Sequence, residues 1–363
     1  MPKKKEKMNR LFRHITWLAL TGIILTVASC AYDDTVRDLR EQPADSQGLA
    51  ISFNNGIIDN PILRTRAVTL LSDHMASMGV WGWQTTPEGV TERLFINQDV
   101  TFSAPQAKWT YSPVKYWEPK STYRFCAYAP HSGDVPGVTV SIDSATHAFS
   151  IIGVTLQGCN TIDSGVPAPP ANFSKVEDTD WMIDRTGQSM AGIYRNEVTF
   201  SMQHILSKLC IRVRRSYAIM HDTLMSLTVD SIKIGNFVSQ GNFTQYMADD
   251  PVELAYEWTR IDTLPRYTVT SAKYASIPDS AAYILETLLI PQRLDDNQYL
   301  QIWYNIGDKN HFNNRISLNS LFNGFETGYN YVITITAGPE PIRFDAGVQD
   351  WNNDTAHEMI MKK

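Results

Sequence analysis

The chain has 363 residues, with 32 Lys and Arg against 38 Asp and Glu, for a formal charge of −6. Removing residues 1–29 takes away six basic residues and one acidic one, leaving 26 against 37, or −11, a balance that excludes nucleic acid as a partner. Nine Trp, sixteen Tyr and a hydrophobic content of 43% belong to a folded chain. The roughly 330 residues that remain are too many for one ordinary core, so two domains are expected.

The N-terminus comes first. Lys3, Lys4, Lys5, Lys7, Arg10 and Arg13 precede an apolar run from Ile15 to Val27, the layout of a secretory signal; Arg10 and Arg13 would suffice if translation began at Met8. Ala28 and Ser29 then meet Cys30. A cysteine directly after small residues at the end of an apolar run resembles the bacterial lipobox. The resemblance implies a signal peptide over 1–29, acylation of Cys30 with diacylglycerol and palmitate, and an outer-membrane lipoprotein held by that lipid. Two or more acyl chains, at about 0.8 kcal/mol per buried CH₂, anchor a protein far better than one. An uncleaved anchor, for which the run is short of the about 20 residues needed, and a plain cleavage near Ser29 are the alternative readings.

Residues 30–48 are charged and without apolar period, a tether. Leu49, Ile51 and Phe53 alternate with polar neighbours, which predicts a half-buried strand. An irregular link through Asn54-Asn55-Gly56 and Asn60-Pro61 leads to Leu63-Arg64-Thr65-Arg66-Ala67, and Val68–Leu71 is a further candidate strand. Short strands follow at 78–83, 94–96, 101–102, 109–111 and 123–129, separated by Gly, Pro and Asn at roughly ten-residue spacing, the grammar of a β-sandwich. A Pro-rich stretch at 166–170 and an acidic one at 177–180 precede the expected boundary between Gly187 and Asn196. The second half repeats the grammar with strands at 198–202, 209–213, 227–229, 232–234, 283–285, 300–304 and 331–336, and with a single helical turn expected over Gln203–Lys208. The expected organisation is a sandwich over 49–190, another over 191–341, and a C-terminal strand and tail over 342–363.

The three cysteines besides Cys30, at 126, 159 and 210, are an odd number without Cys-x-x-Cys spacing and read as structural; a bridge from Cys159 to one of the others stays open. Gly-x-Ser-x-Gly, His-Glu-x-x-His, Walker and dinucleotide motifs are all missing, so neither an enzyme nor a cofactor or metal is expected. His204, between two strands, reads as a hydrogen-bonded structural residue. Trp81, Trp83, Tyr116 and Trp117 could stack on sugar rings, but core packing is the better reading.

Thr65-Arg66-Ala67, Gly79-Val80-Trp81-Gly82, Tyr111–Trp117, Tyr123–Pro130, Asp180-Trp181-Met182, Phe200 with His204 and Lys208-Leu209, Leu289–Gln292, Gly328–Tyr331 and Asp350-Trp351 together resemble the fimbrillin family of Bacteroides-type, type V pilins. Asp33 and Asp34 likewise resemble the acidic export tag of surface lipoproteins in that group. The resemblance spans nearly the whole chain. It implies an all-β fold of two tandem transthyretin-like β-sandwich domains and a surface fimbrium as location. It also implies cleavage after Arg66, before Ala67, with Arg64 as the alternative, which would remove the first strand. An opened sandwich edge accepts an extended strand by β-augmentation. The C-terminal segment has the form of a donor: Gly338-Pro339-Glu340-Pro341 is a stiff spacer, Ile342, Phe344 and Ala346 share a face, and Val348 and Trp351 add apolar anchors, although the same strand could complete its own sheet. The expected function is a non-enzymatic component of fimbriae (pilus subunit, tip or anchor) with other fimbrial subunits as partners. The alternative is a non-polymerising surface lipoprotein that binds glycans or host ligands.

Overall fold

The computed structural model describes residues 50–55, 77–103, 108–143, 148–158, 178–184, 189–191, 197–222, 224–246, 256–262, 266–271, 273–307 and 310–351. In the first half the strands are β1 (Phe53–Asn55), β2 (Ser77–Thr85), β3 (Thr91–Ser103), β4 (Lys108–Thr110), β5 (Thr122–Ala129), β6 (Thr139–Ile142), β7 (Ala148–Thr155), β8 (Met182–Asp184) and β9 (Ser189–Ala191). They continue with β10 (Val198–Phe200), β11 (Met202–His204), β12 (Ser207–Arg215), β13 (Leu227–Phe237), β14 (Gln240–Tyr246), β15 (Tyr256–Arg260) and β16 (Tyr267–Thr270). The last are β17 (Ala282–Leu289), β18 (Gln292–Arg293), β19 (Tyr299–Ile306), β20 (Asn310–Ser317), β21 (Gly324–Phe325), β22 (Tyr329–Ala337) and β23 (Arg343–Asp350). The fold is all-β; its helical elements among the described residues are three-residue 3₁₀ turns.

The largest sheet runs β11-β8-β5-β2-β3-β4, with β9 also on β5. Its central strands are buried almost continuously because both faces are covered, the condition under which alternation disappears. Val80 and Phe125 point into one core with Ile51, Phe53, Phe95, Trp117 and Phe200. Trp81, Cys126 and Tyr128 point into the other, shared with the second half of the chain. Gly79 and Gly82 leave room for rings: a Cβ would lie 2.2 Å from the Tyr128 ring at the first and 2.8 Å from Phe95 at the second.

The second half is a sandwich of two four-stranded sheets, β17-β12-β22-β23 and β16-β13-β19-β20. Here alternation survives: β19 is buried at every second residue, with Leu300, Ile302, Tyr304 and Ile306 inward against Leu209, Ile211, Ile333 and Ile335 in the same core. A further sheet, β15-β14-β7-β6, joins strands on either side of residue 190, and β10 and β11 pair with β1 and β8.

Three details differ from the sequence reading. Residues 94–96 and 101–102 belong to one thirteen-residue strand, β3, and 227–229 and 232–234 to one strand, β13, whose register shifts between Val229 and Ser231. A bulge breaks the apolar alternation without ending the strand. No helical turn occupies 203–208: Met202–His204 pair with β8, and Ile205 and Leu206 are buried, so extended backbone satisfies both pairing and core there. The candidate strand at 68–71 lies outside the described residues.

One charged pair is sealed into β12. Lys208, 2% exposed, places Nζ 2.5 Å from Glu286 Oε1 on β17, and Cys210 Sγ lies 3.2 Å from both Glu286 Oε1 and Asn330 Oδ1, with its one S–H to donate to either. Burial alone would lower the Lys208 pKa, but the charge of the Glu286 carboxylate and its hydrogen bond to the ammonium raise it overall, so the ammonium stays charged. Replacing Lys208 with Ala, which removes the counter-charge of Glu286, is expected to cost about 3–5 kcal/mol in urea unfolding, whereas Lys208→Met combined with Glu286→Leu is expected to be near neutral or stabilising. Equal losses in the two variants would show that packing, not charge balance, holds this point.

Candidate functional site

The segment 50–55 is held on two sides, residues 53–55 by β10 and residues 50–51 by Lys115–Tyr116. Ile51 and Phe53 are buried and Ser52 between them is exposed, the alternation that the sequence predicts. On one side β1 runs parallel to β10, Phe53 opposite Val198 and Asn55 opposite Phe200, with Val198 N donating to Ser52 O at 2.8 Å. On the other, Ala50 forms an antiparallel bridge with Tyr116, and Ile51 N donates to Lys115 O at 2.9 Å. Tyr111 Oη donates to Ile51 O at 2.7 Å; burial raises its pKa, which keeps the phenol protonated as that donor.

The Phe53 ring is the hub of this region. Its centroid lies 5.3 Å from Phe95, 5.3 Å from Tyr111, 5.9 Å from Phe125 and 5.7 Å from Phe200, distances at which aromatic pairs attract beyond simple burial. Without this strand those four rings would line a trough, and the Lys115 carbonyl and Val198 N–H on its walls would lose their partners. Such a trough has the chemistry to bind an extended strand whose alternate side chains are apolar.

The C-terminal candidates also lie on a strand. Phe344 pairs with Ile335, Ala346 with Ile333 and Val348 with Tyr331, so β23 forms the outer edge of its own sheet. Ile342, Phe344, Ala346, Val348 and Trp351 are all partly buried against the core. Ahead of the strand, Ser216 Oγ donates to Glu340 Oε2 at 2.7 Å and lowers that carboxyl's pKa. At its far end Trp351 N donates to Gly328 O at 2.9 Å, and the indole stacks on His204 at 3.8 Å and 2°. His204 Nδ1 lies 2.8 Å from the fully buried Asp180, and Lys208 Nζ stands 5.5 Å from the Trp351 ring. His204 is thus a structural residue, as its sequence context suggests. Its stacking partner was not readable, because 147 residues separate the two.

Cys30, Arg64, Arg66 and Ala67 lie outside the described residues, as does Cys159. Cys126 and Cys210 are free and buried, and burial pushes both thiols well up. Trp81 and Trp117 are core residues and Tyr116 is exposed. What sequence reasoning missed is the clamp on the first strand, namely Tyr111, Lys115 and Val198. The first two stand in the Tyr111–Trp117 motif singled out above for other reasons.

The family model described as "Fimbrillin-like" matches residues 65–351. The chain belongs to the fimbrillin-like family. Among solved structures it is similar to a proposed cell adhesion protein of Bacteroides uniformis, at 15% identity and a TM-score of 0.47, over 84% of this chain and 98% of that one. A proposed cell adhesion protein of Bacteroides ovatus gives 13% and 0.48 over 84% and 98%. The C-terminally truncated tip fimbrial protein Mfa3 of Porphyromonas gingivalis gives 8% and 0.36 over 84% and 99%. A search of curated proteins gave no match. Membership makes this fimbrillin-like chain a fimbrial-type surface protein and implies other fimbrial subunits as partners. No helix among the described residues is long and apolar enough to cross a membrane.

If the first strand is integral to its core, Phe53→Ala should destabilise the protein by about 3–5 kcal/mol, while Ser52→Ala, on the exposed face, should stay within about 0.5 kcal/mol. Chemical denaturation measures both; a Phe53→Ala cost as small as that of Ser52→Ala would mean that the strand is only loosely applied.

Proposed function

We propose that this fimbrillin-like chain is a non-enzymatic structural component of surface fimbriae that joins its neighbours by β-strand exchange. The observation that carries this reading is the first strand's position between Lys115–Tyr116 and β10, with Phe53 at the centre of an aromatic trough. In this reading residues 1–29 are a signal peptide, Cys30 carries the lipid that holds the precursor at the outer membrane, and residues 30–48 are the tether. Hydrolysis of the Arg66-Ala67 bond, or a cut after Arg64, separates the first strand from the subunit. The family match begins at residue 65, so the first strand lies ahead of the matched span. The residues offered to a neighbour's trough are Ile342, Phe344, Ala346, Val348 and Trp351. Phe344, Ala346 and Val348 belong to an edge strand bonded on one side only, with Ile342 and Trp351 at its two ends, and such a strand is easier to withdraw than a central one.

N-terminal sequencing of filaments sheared from cells tests this. A polymerising subunit should begin at Ala67. A lipid-blocked Cys30 terminus throughout the filament would contradict exchange at the first strand.

A further inference from the structure

Strand exchange leaves the outer face of the sheet β16-β13-β19-β20 unused. From β19 it presents Tyr299, Gln301, Trp303 and Asn305, the residues that alternate with the buried ones. Cross-strand register sets Lys233 of β13 beside Gln301 and Arg315 of β20 on its other side. Strands about 4.8 Å apart thus hold the two cationic residues about 10 Å apart at the backbone, within joint reach of one small anion. Neither has a carboxylate partner among the described residues.

The row is built, not merely populated. The Arg315 guanidinium lies 3.8 Å from the Tyr299 ring centroid, and the tip of that ring lies over Gly235, where a Cβ would come within 2.8 Å of Tyr299 Oη. The missing side chain lets Tyr299 lie down, and Tyr299 in turn fixes Arg315. Gln301 Nε2 donates to Asn313 Oδ1 at 2.9 Å. Among the described residues of these four strands the one carboxylate, Asp230, is already engaged: Lys273 Nζ is 3.1 Å away and Asn305 Nδ2 donates to it at 2.7 Å. Partial desolvation opposes its ionisation, but those two contacts hold its pKa below the usual range. Asp295 and Asp296, in the turn ahead of β19, accept from Asn297 N and Asn319 Nδ2. On a chain of net negative charge, the Lys233–Arg315 row is therefore a local positive strip.

We propose that this face binds an acidic polysaccharide, with a uronate or sulfate group between Lys233 and Arg315 and the apolar face of a neighbouring sugar ring on Trp303. The chemistry separates this occupant from others. A protein partner would need an apolar centre, and Trp303 and Tyr299 are the only large apolar side chains that β19 turns outward. Nucleic acid is repelled by the net charge of the chain. An acidic sugar presents what the row can use: an anion for a charge-assisted fork, hydroxyls for Gln301 and Asn313, and a C–H face for an indole.

Full-length protein, solubilised in a detergent without a sugar headgroup, would be titrated by calorimetry with oligogalacturonate, chondroitin sulfate, neutral dextran and polyglutamate. Binding of an acidic oligosaccharide, but not of dextran or polyglutamate, is expected. Lys233→Gln with Arg315→Gln should weaken that binding by at least about tenfold, the loss of charged hydrogen bonds worth about 1.5–3 kcal/mol. Trp303→Ala should weaken it as well, with circular dichroism and melting unchanged. Failure of both acidic sugars to bind would overturn the proposal, as would polyglutamate binding that is indifferent to Trp303→Ala. Because the face belongs to a different sheet from that of the first strand, filament assembly should be unaffected by these substitutions, so this proposal and that of strand exchange can fail separately.

Discussion

A strand placed between two neighbours must satisfy its backbone on both sides, and that requirement organises the first half of this chain. Ile51 N and Ile51 O are held by Lys115 O and Tyr111 Oη, and Ser52 O by Val198 N. Buried peptide groups left without such partners cost about 1–3 kcal/mol each. The same short segment also places Phe53 among Phe95, Tyr111, Phe125 and Phe200. Polar and apolar requirements thus fall on one piece of chain that precedes everything else in the sandwich. Whatever replaces it must be extended and carry large apolar side chains two residues apart.

The second half shows the same arrangement in another form. Its first strand, β12, lies parallel to β22, as β1 lies parallel to β10. There the paired strand belongs to the body of the sheet and carries the buried Lys208–Glu286 pair, and the added edge strand is β23. Trp351 then links that edge to His204, the last residue of β11. The C-terminal strand is therefore attached along one ladder, by partly buried side chains on one face and by the stacked Trp351 ring. The first strand is attached on both sides and through its core ring.

Much of this was legible in the sequence, for a definite reason. Alternation at Ile51 and Phe53, in the strand at 300–304 and at Ile342, Phe344 and Ala346 reports which residues face a core, and the structure places them so. The motifs pointed to the family before any coordinates did. What alternation does not encode is which strand lies next to which. The pairing of β7 with β14 joins segments some ninety residues apart, and nothing in either segment names the other. Burial on both faces hides the period in β2 and β5, and bulges divide β13 into what reads as two strands. The clamp on the first strand was missed because the hydrogen bonds from Tyr111 Oη to Ile51 O and from Ile51 N to Lys115 O depend on a fold that brings two distant segments together.

The claim on which this account turns is that the first strand's place can be vacated and refilled. Full-length protein cut after Arg66 by an arginine-specific protease can be mixed with a labelled peptide of residues 342–351, and uptake followed by fluorescence anisotropy and native mass spectrometry. Cut protein is expected to lose the segment carrying Ile51 and Phe53 and to take up one peptide, while uncut protein takes up none. Retention of that segment after cleavage, with no peptide bound, would contradict it.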